Sequence, residues 1–415
     1  MLLIYKFLTF ALYPFFIILI YIRKFFNKED NKRFKEKIFS SKLQENKNKK
    51  RIWFHAASIG EVQSILPLVK KINENNKDIN IIITTITLTS GNLIKEKLSD
   101  YSNICHKYLP LDINFLVKNF LDVWKPDMAL FVDSEIWPNF LFEIKKRKVP
   151  LVLLNGRITK KTFLRWRLIP KVAKKIFQTF DLCLTSNNET KKYLENFSVK
   201  NIKNLGNIKF AAEHINLGNN FKKNFWCAVS THQQENLICL KTHLILKEKY
   251  PNLTSIIIPR HTDKVNKIAL LCKKMNLKFK ILSNNEKIED NEEIIIVNSY
   301  GSVSYYLNFC KSVFIGKSLI KKLSLVGGQN PIEAAKLGCK IYHGPYIYNF
   351  KEIYDLLSKY KISEKINDEK ELSNKLDSDF NKPNIIDHKT IQDINNLGKK
   401  ILNETYSELK TINML

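Results

Sequence analysis

The feature that most constrains this chain is a rhythm: apolar runs of four to six residues, separated by longer stretches in which apolar positions recur at helical spacing. IWFHA (52–56), NIIITT (80–85), MALFV (128–132), PLVLL (150–154) and LCLT (182–185) form one series. WCAVS (226–230), SIIIP (255–259), EIIIV (293–297), SVFIG (312–316) and CKIYHG (339–344) form a second. A run that is apolar at every position suits a strand covered on both faces, which is the parallel strand of an α/β protein. An Asn- and Lys-rich break at 213–224 separates the two series. At 415 residues the chain exceeds the ~250–300 at which one core stops growing. The expectation is an α/β protein of two Rossmann-like domains, 51–215 and 216–390, followed by a polar, helical segment at 391–415.

The first residues follow a different pattern. Leu2 to Ile22 reads LLIYKFLTFALYPFFIILIYI, about the ~20 apolar residues that cross a bilayer. Arg23, Lys24, Lys28, Lys32, Arg33, Lys35 and Lys37 follow it, and positive charge on that side places the remaining chain in the cytoplasm. Residues 1–24 are expected as a retained membrane anchor, a helix that spans the bilayer or, given Lys6 and Pro14, lies along it. Residues 25–50 are expected as a basic linker. The net charge of +28 draws in phosphates and anionic lipid headgroups. A nucleic-acid reader would also show a recognisable module or a basic face interleaved with aromatics, and the sequence has neither. The seven cysteines are scattered without a C-x-x-C pair, as in a reduced cytosolic body with no zinc or redox site.

In doubly wound sheets ligands bind beyond the carboxyl ends of the strands, so polar residues there carry the chemistry. His55-Ala-Ala-Ser58-Ile-Gly-Glu61 ends one strand and opens a helix; Glu61 is a candidate general base, and the same S-x-x-E spacing is that of a helix capping box. Asp133-Ser-Glu135-Ile-Trp137-Pro-Asn139 places two carboxylates at another strand end. Lys209, in GNIKF (206–210), is placed to offset developing negative charge. In the second half, Ser230-Thr-His232, Pro259-Arg260-His261 and Gly327-Gly328-Gln-Asn330-Pro331-Ile332-Glu333 carry the kinds of group that hold a nucleotide: glycine amides, a helix start, an arginine fork and a carboxylate for ribose hydroxyls. There is no Walker lysine motif, no G-x-G-x-x-G and no H-E-x-x-H, which disfavours kinases, nicotinamide enzymes and zinc proteases.

The strings FHAASIGEV (54–62), ITTITLTSGN (83–92), YLPLDI (108–113), DSEIWPN (133–139), LNGRIT (154–159), LGNIKF (205–210), STHQQE (230–235), PRH (259–261), GGQNPIEAA (327–335) and GPYIYNF (344–350) closely resemble, in the same order, the 3-deoxy-D-manno-octulosonic acid (Kdo) transferases of lipopolysaccharide synthesis. The resemblance implies a GT-B fold, two Rossmann-like domains facing a cleft with the last helix crossing back to the first domain. It implies transfer of Kdo from CMP-Kdo to the lipid A precursor (lipid IVA) at the inner membrane, with inversion and with no metal or other cofactor. It places the base on Glu61, assisting groups on Asp133 or Glu135 and on Lys209, and CMP contacts on Pro259, Arg260, the Tyr300-Gly301-Ser302 turn, Asn330 to Glu333 and Asn349. Partners are then CMP-Kdo, the lipid acceptor and membrane lipids, not nucleic acid. The chain departs from the family pattern at Asp133, usually glutamate; at Gln234, usually glycine; at Ser302, usually glutamate; at Lys317, usually the second glycine of a G-G-S-L turn; and in a short insertion at 320–325. A related transferase or epimerase using another nucleotide sugar, or an inactive lipid-binding homologue, are the alternatives these departures leave open.

Overall fold

The computed structural model describes residues 2–39, 49–213, 221–222, 224–283, 286, 288, 292–299, 301–382 and 386–412. The chain divides into two compact units, Met1–Ala212 with Gly398–Leu415, and Glu213–Leu397. The first unit is built on a seven-stranded sheet: β1 (Lys50–His55), β2 (Ile79–Thr85), β3 (Ile104–Tyr108), β4 (Met128–Val132), β5 (Leu151–Gly156), β6 (Leu182–Thr185) and β7 (Ile202–Asn204), in the order β3-β2-β1-β4-β5-β6-β7. The second unit repeats the plan with β8 (Phe225–Thr231), β9 (Thr254–Pro259), β10 (Phe279–Leu282), β11 (Ile294–Val297), β12 (Ser312–Ile315), β13 (Lys340–His343) and β14 (Ser363–Lys365), in the order β10-β11-β9-β8-β12-β13-β14. Pairing is parallel throughout, as at His55 opposite Phe131 and Phe314 opposite Ala228.

All ten apolar runs become strands, and each lies inside its sheet. The four strands that are not apolar runs, β3, β7, β10 and β14, are the four sheet edges, and each carries exposed or half-buried positions where inner strands such as β4 and β12 are buried throughout. In the first sheet the chain leaves β1 and β4 in opposite directions, and in the second it does the same at the neighbours β8 and β12, with β11 set between β9 and the edge strand β10. Loops leaving adjacent strands at such a point diverge and open a crevice beyond the strand ends.

Each unit has its own core. In the first, Trp53 of β1 packs on Phe120, Phe131 and Phe140 with ring centroids 5.0, 5.2 and 5.5 Å apart, and its indole N–H donates to Thr84 Oγ1 at 2.9 Å. In the second, Trp226, Phe314 and Tyr342 anchor an equivalent cluster. The cysteines are all free, six of them buried and Cys105 partly so.

The N-terminal segment departs from a single spanning helix. Pro14 at the start of a new helix breaks the apolar stretch into Leu2–Ala11 and Tyr13–Phe25, bent by 53°, and no single helix among the described residues is long and apolar enough to cross a membrane. The pair docks on the first unit. Tyr5 donates to Asp112 at 2.8 Å, Lys6 pairs with Glu143 at 3.5 Å, and Ile20 is buried with Phe34 and Ile38. Residues 25–39, expected as linker, are likewise held. Arg23 and Lys37 both pair with buried Glu29, Lys37 Nζ donates to the Ile86 carbonyl at 2.8 Å, and Arg33 donates to the His106 carbonyl at 2.7 Å. Burying the Lys37 ammonium lowers its pKa, and Glu29 counters that shift. Residues 40–48 of the expected linker lie outside the described residues.

The final helix, His388–Lys410, spans the division and gives its last turns to the first unit, where Ile401, Tyr406 and Leu409 are buried and Lys203 pairs with Glu408 at 2.6 Å. At Gly398 the backbone approaches Phe210 so closely that a Cβ would lie 2.1 Å from its carbonyl oxygen. A helical Gly→Ala change ordinarily stabilises by about 1 kcal/mol. Here the clash reverses the sign, and Gly398→Ala is expected to destabilise by about 1–3 kcal/mol, measured as a lower midpoint of thermal unfolding.

Candidate active site

The turn after β1 and the turn after β4 carry three carboxylates at the reversal point of the first sheet. Glu61 stands in the first turn of the helix Ile59–Asn75. Ser58 caps that helix: its hydroxyl accepts from the Glu61 N–H at 3.4 Å and donates to Glu61 Oε1 at 2.8 Å, while the Ala57 N–H donates to Oε2 at 2.7 Å. Only the Ser58 half of the capping box expected from spacing is present; the carboxylate takes the Ala57 N–H and the Ser58 hydroxyl and not the N-cap N–H, and these two bonds aim it. Burial raises the Glu61 pKa to about 7, with the charges of Asp133 and Glu135 pushing the same way and the hydrogen bonds from Ser58 and Ala57 opposing. A carboxylate balanced near neutrality can accept a proton at physiological pH and release it again.

Asp133 and Glu135, interchangeable in the sequence pattern, have different partners. Asp133 sits in the left-handed region at φ 56°. Its N–H donates to the Leu154 carbonyl at 3.0 Å, and its carboxylate takes the side-chain amide of Asn155 and the Lys209 ammonium, the latter at 2.8 Å. Glu135 Oε2 accepts from Trp137 Nε1 at 2.8 Å and lies 3.3 Å from His55 Nε2. The fully buried His55 ring reaches Thr84 Oγ1 through Nδ1 at 3.0 Å. A carboxylate oxygen can only accept, which assigns a ring hydrogen to Nε2, where it donates to Glu135. Asp133 and Glu135 are thus compensated, by a cation and by two N–H donors. Among the described residues no cation pairs with Glu61.

Asn155 was not among the residues singled out in the sequence, although it lies in the LNGRIT string. Its amide nitrogen holds Asp133 and its oxygen accepts the Ile208 N–H at 3.0 Å, while Asn207 accepts the Lys209 N–H at 3.0 Å. Asn155 therefore sets the distance between Asp133 and the turn that carries Lys209. Its signal was an Asn directly before Gly, a residue that tolerates the left-handed φ of 55° found here.

In the second unit the candidate residues gather at the ends of β8, β9 and β12. Ser230 is left-handed at φ 57°, and the Arg260 N–H donates to the Thr231 carbonyl at 3.1 Å. His232 and His261 meet edge to face with centroids 6.1 Å apart, and Pro259 closes β9. Arg260 and His261 are exposed. Burial lowers the His232 pKa; Glu235 opposes that shift, and Lys317, His261 and Arg260 add to it. Gly301 is left-handed at φ 83°, and Ser302 pairs its hydroxyl with Ser299 at 2.6 Å. Tyr300 lies outside the described residues. Glu333 is partly buried with its pKa raised by desolvation, and it accepts from the Ser304 hydroxyl. Asn330 accepts the Ile332 N–H at 3.2 Å, next to Pro331.

Three residues expected as nucleotide contacts have internal roles as well. Asn349 donates to the Val326 carbonyl at 2.6 Å and its N–H to the Gly327 carbonyl at 2.9 Å, and the Gly328 N–H donates to the Lys317 carbonyl at 2.7 Å. Glu235, also absent from the sequence candidates, organises this unit. Its fully buried carboxylate accepts the N–H groups of His232 at 3.0 Å, Lys317 at 2.7 Å, Ser318 at 2.8 Å and Leu319 at 3.0 Å. Its signal was the x-x-E spacing after His232 at a helix start. Among the described residues no three His, Cys, Asp or Glu side chains are placed to share a metal ion.

Two α/β units of this kind, each with polar residues at its sheet reversal, define the GT-B architecture of nucleotide-sugar enzymes. Solved structures share the fold: a glycosyltransferase from Rickettsia africae (TM-score 0.53, 12% identity, 87% of this chain and 99% of that one) and a UDP-GlcNAc 2-epimerase from Neisseria meningitidis bound to UDP-GlcNAc (TM-score 0.53, 11% identity, 86% and 100%). Residues 32–212 match the family described as 3-Deoxy-D-manno-octulosonic-acid transferase (kdotransferase). The 3-deoxy-D-manno-octulosonic acid transferase of Rickettsia bellii is 31% identical over 90% of both chains, and that of Haemophilus influenzae 30% identical over 74% of this chain and 73% of its own. The chain belongs to the Kdo transferase family of glycosyltransferases.

The Glu61 environment has a consequence for stability. The folded carboxyl titrates near 7 against an ordinary value of 4.5, so between those values the folded state holds a proton that the unfolded state has released. Stability from this group therefore falls as pH rises through that window. Glu61→Gln is expected to raise the unfolding temperature relative to wild type at pH 8 and to leave it unchanged at pH 4, read by circular dichroism.

Proposed function

We propose that this protein transfers Kdo from CMP-Kdo to a hydroxyl of the lipid A precursor, with inversion and without a metal, Glu61 acting as general base. The observation that carries the reading is the unequal treatment of three neighbouring carboxylates: Asp133 and Glu135 are compensated, while Glu61 is left with a pKa near 7. As the acceptor oxygen bonds to the anomeric carbon, its proton passes to Glu61. The bond from that carbon to the phosphate oxygen breaks, and CMP leaves with the electron pair. Lys209, held by Asp133, supplies positive charge beside the reacting centre. Arg260, exposed at the end of β9, suits the phosphate, and membership of the Kdo transferase family supports the sugar.

The acceptor is a membrane lipid, and the N-terminal helix pair suits that location. Leu3, Phe7, Phe10, Phe15, Ile18 and Ile22 are exposed on helices whose other side is docked to the first unit. The pair then holds the enzyme on the cytoplasmic face of the inner membrane. Replacing Phe7, Phe10 and Phe15 together by serine is expected to shift the protein from the membrane pellet to the supernatant on cell fractionation.

Incubation of the detergent-solubilised protein with CMP-Kdo, generated in situ, and lipid IVA tests the activity. Product mass also counts the Kdo residues added. Wild type is expected to transfer Kdo in the presence of EDTA and to leave UDP-sugars untouched. Glu61→Gln is expected to lower the rate by at least about 100-fold, and Lys209→Met by about the same factor. Absence of transfer by wild type would refute the reading; full activity in Glu61→Gln would refute the base alone.

A further inference from the structure

We infer that Asp112 is a positioning residue for the active-site carboxylates, and that Tyr5 on the N-terminal helix holds it in place. The inference rests on the reading of Glu61 as base, and it gives the N-terminal helix a part in the reaction beyond attachment to a membrane.

The helix Pro138–Lys146 follows directly on the turn that carries Glu135, and it begins in an unusual way. Its N-cap residue is Trp137, whose side chain offers the helix no acceptor and instead donates from Nε1 to Glu135 at 2.8 Å. Pro138 has no N–H, and the Leu141 N–H already reaches the Trp137 carbonyl at 2.9 Å. The Asn139 and Phe140 N–H groups are left as the donors that a cap must satisfy. Asp112 takes both, through Oδ2 at 3.1 Å and Oδ1 at 3.0 Å, and its carbonyl accepts the Asn139 side-chain amide at 2.5 Å. The N-cap position thus serves Glu135, and the cap comes from the segment after β3.

A carboxylate can be buried only where donors compensate it. Asp112 is buried, which pushes its pKa up to about 6, and hydrogen bonds from Tyr5, Asn139 and Phe140 oppose that shift. Two of these donors belong to the helix it caps. The third is the Tyr5 hydroxyl, 2.8 Å from Oδ2, which arrives from the helix Leu2–Ala11. The same N-terminal helix reaches Pro138–Lys146 at two other points: Thr9 Oγ1 lies 3.4 Å from Asn139 Nδ2, and Lys6 pairs with Glu143 at 3.5 Å.

The capped helix start frames the active-site side chains. Phe140 packs on Trp53 of β1 with ring centroids 5.5 Å apart, Trp137 meets His55 at 6.5 Å, and His55 Nε2 donates to Glu135 at 3.3 Å. A shift of the helix start therefore moves Glu135 relative to Glu61, whose pKa the Glu135 charge helps to raise. Tyr5, Asp112, the helix start and Glu135 form one chain of contacts whose last member acts on the base.

Kdo transfer by the detergent-solubilised, full-length protein, followed against pH, tests this under conditions where anchoring plays no part. Tyr5→Phe removes the hydroxyl without changing charge. It is expected to lower kcat about 3–10-fold, and Asp112→Asn about 100-fold, with KM for CMP-Kdo unchanged. In both variants the acid limb of the kcat profile is expected to move to lower pH, because a displaced Glu135 no longer holds the Glu61 pKa up. Tyr5→Phe is also expected to remain in the membrane pellet, which separates positioning from anchoring. An acid limb in Tyr5→Phe that stays in place or moves to higher pH overturns this inference alone, whether or not kcat falls, since lost folding lowers the rate without shifting the limb downward. Absence of transfer by wild type overturns it together with the reading of Glu61 as base.

Discussion

Parallel pairing of β1 with β4 is the constraint from which the first unit's chemistry follows. Adjacent strands running the same way deliver their carboxyl ends, and whatever polar residues follow them, to one small region. Here that region receives Glu61 from one strand and Asp133 and Glu135 from the other. Three like charges so close repel, and the structure relieves the repulsion selectively. Lys209 and Asn155 serve Asp133, and His55 and Trp137 serve Glu135. What repulsion and burial remain fall on Glu61. The second unit meets a different arrangement at β8 and β12, where one buried carboxylate consumes the loop amides.

Backbone strain marks the same places. Asp133, Asn155, Ser230 and Lys317 all adopt positive φ, and all four lie at the carboxyl ends of inner strands. A strand leaves its sheet in one direction and must turn sharply to reach the helix that covers it, and the left-handed conformation makes that turn in one residue. Asn and Asp tolerate it; Ser and Lys do so at greater cost. Sharp turns keep the side chains near the strand ends and off the flexible portion of a loop, which suits groups whose separation has to be held.

The sequence made the interior legible and the periphery much less so. The ten inner strands are apolar at nearly every position because helices cover both faces, whereas ICHKY at 104–108 and SEK at 363–365 lie on sheet edges and carry no such signature. The ionisable candidate residues, such as Glu61, Asp133 and Lys209, were visible as polar residues following apolar runs or sitting in short motifs. The groups that hold them were not. Asn155 reads as an ordinary turn residue, and Glu235 as one more helix-start carboxylate, until distant segments are brought together around them. The break in the N-terminal stretch was less legible for a related reason. Hydropathy reports composition, whereas Pro14 and the pairing of Lys6 with Glu143 decide how the apolar stretch is broken and where it rests.

The return of the last helix to the first unit has a bearing on how the protein is made. The first unit is translated first, yet Gly398, Ile401, Tyr406 and Leu409, which complete it, emerge from the ribosome after the whole of the second unit. A nascent chain therefore carries an almost finished first unit with an uncovered apolar seam throughout synthesis of the second unit. Release of the final residues closes the seam, so chains truncated by a late stop codon lose the integrity of the unit at the opposite end of the sequence.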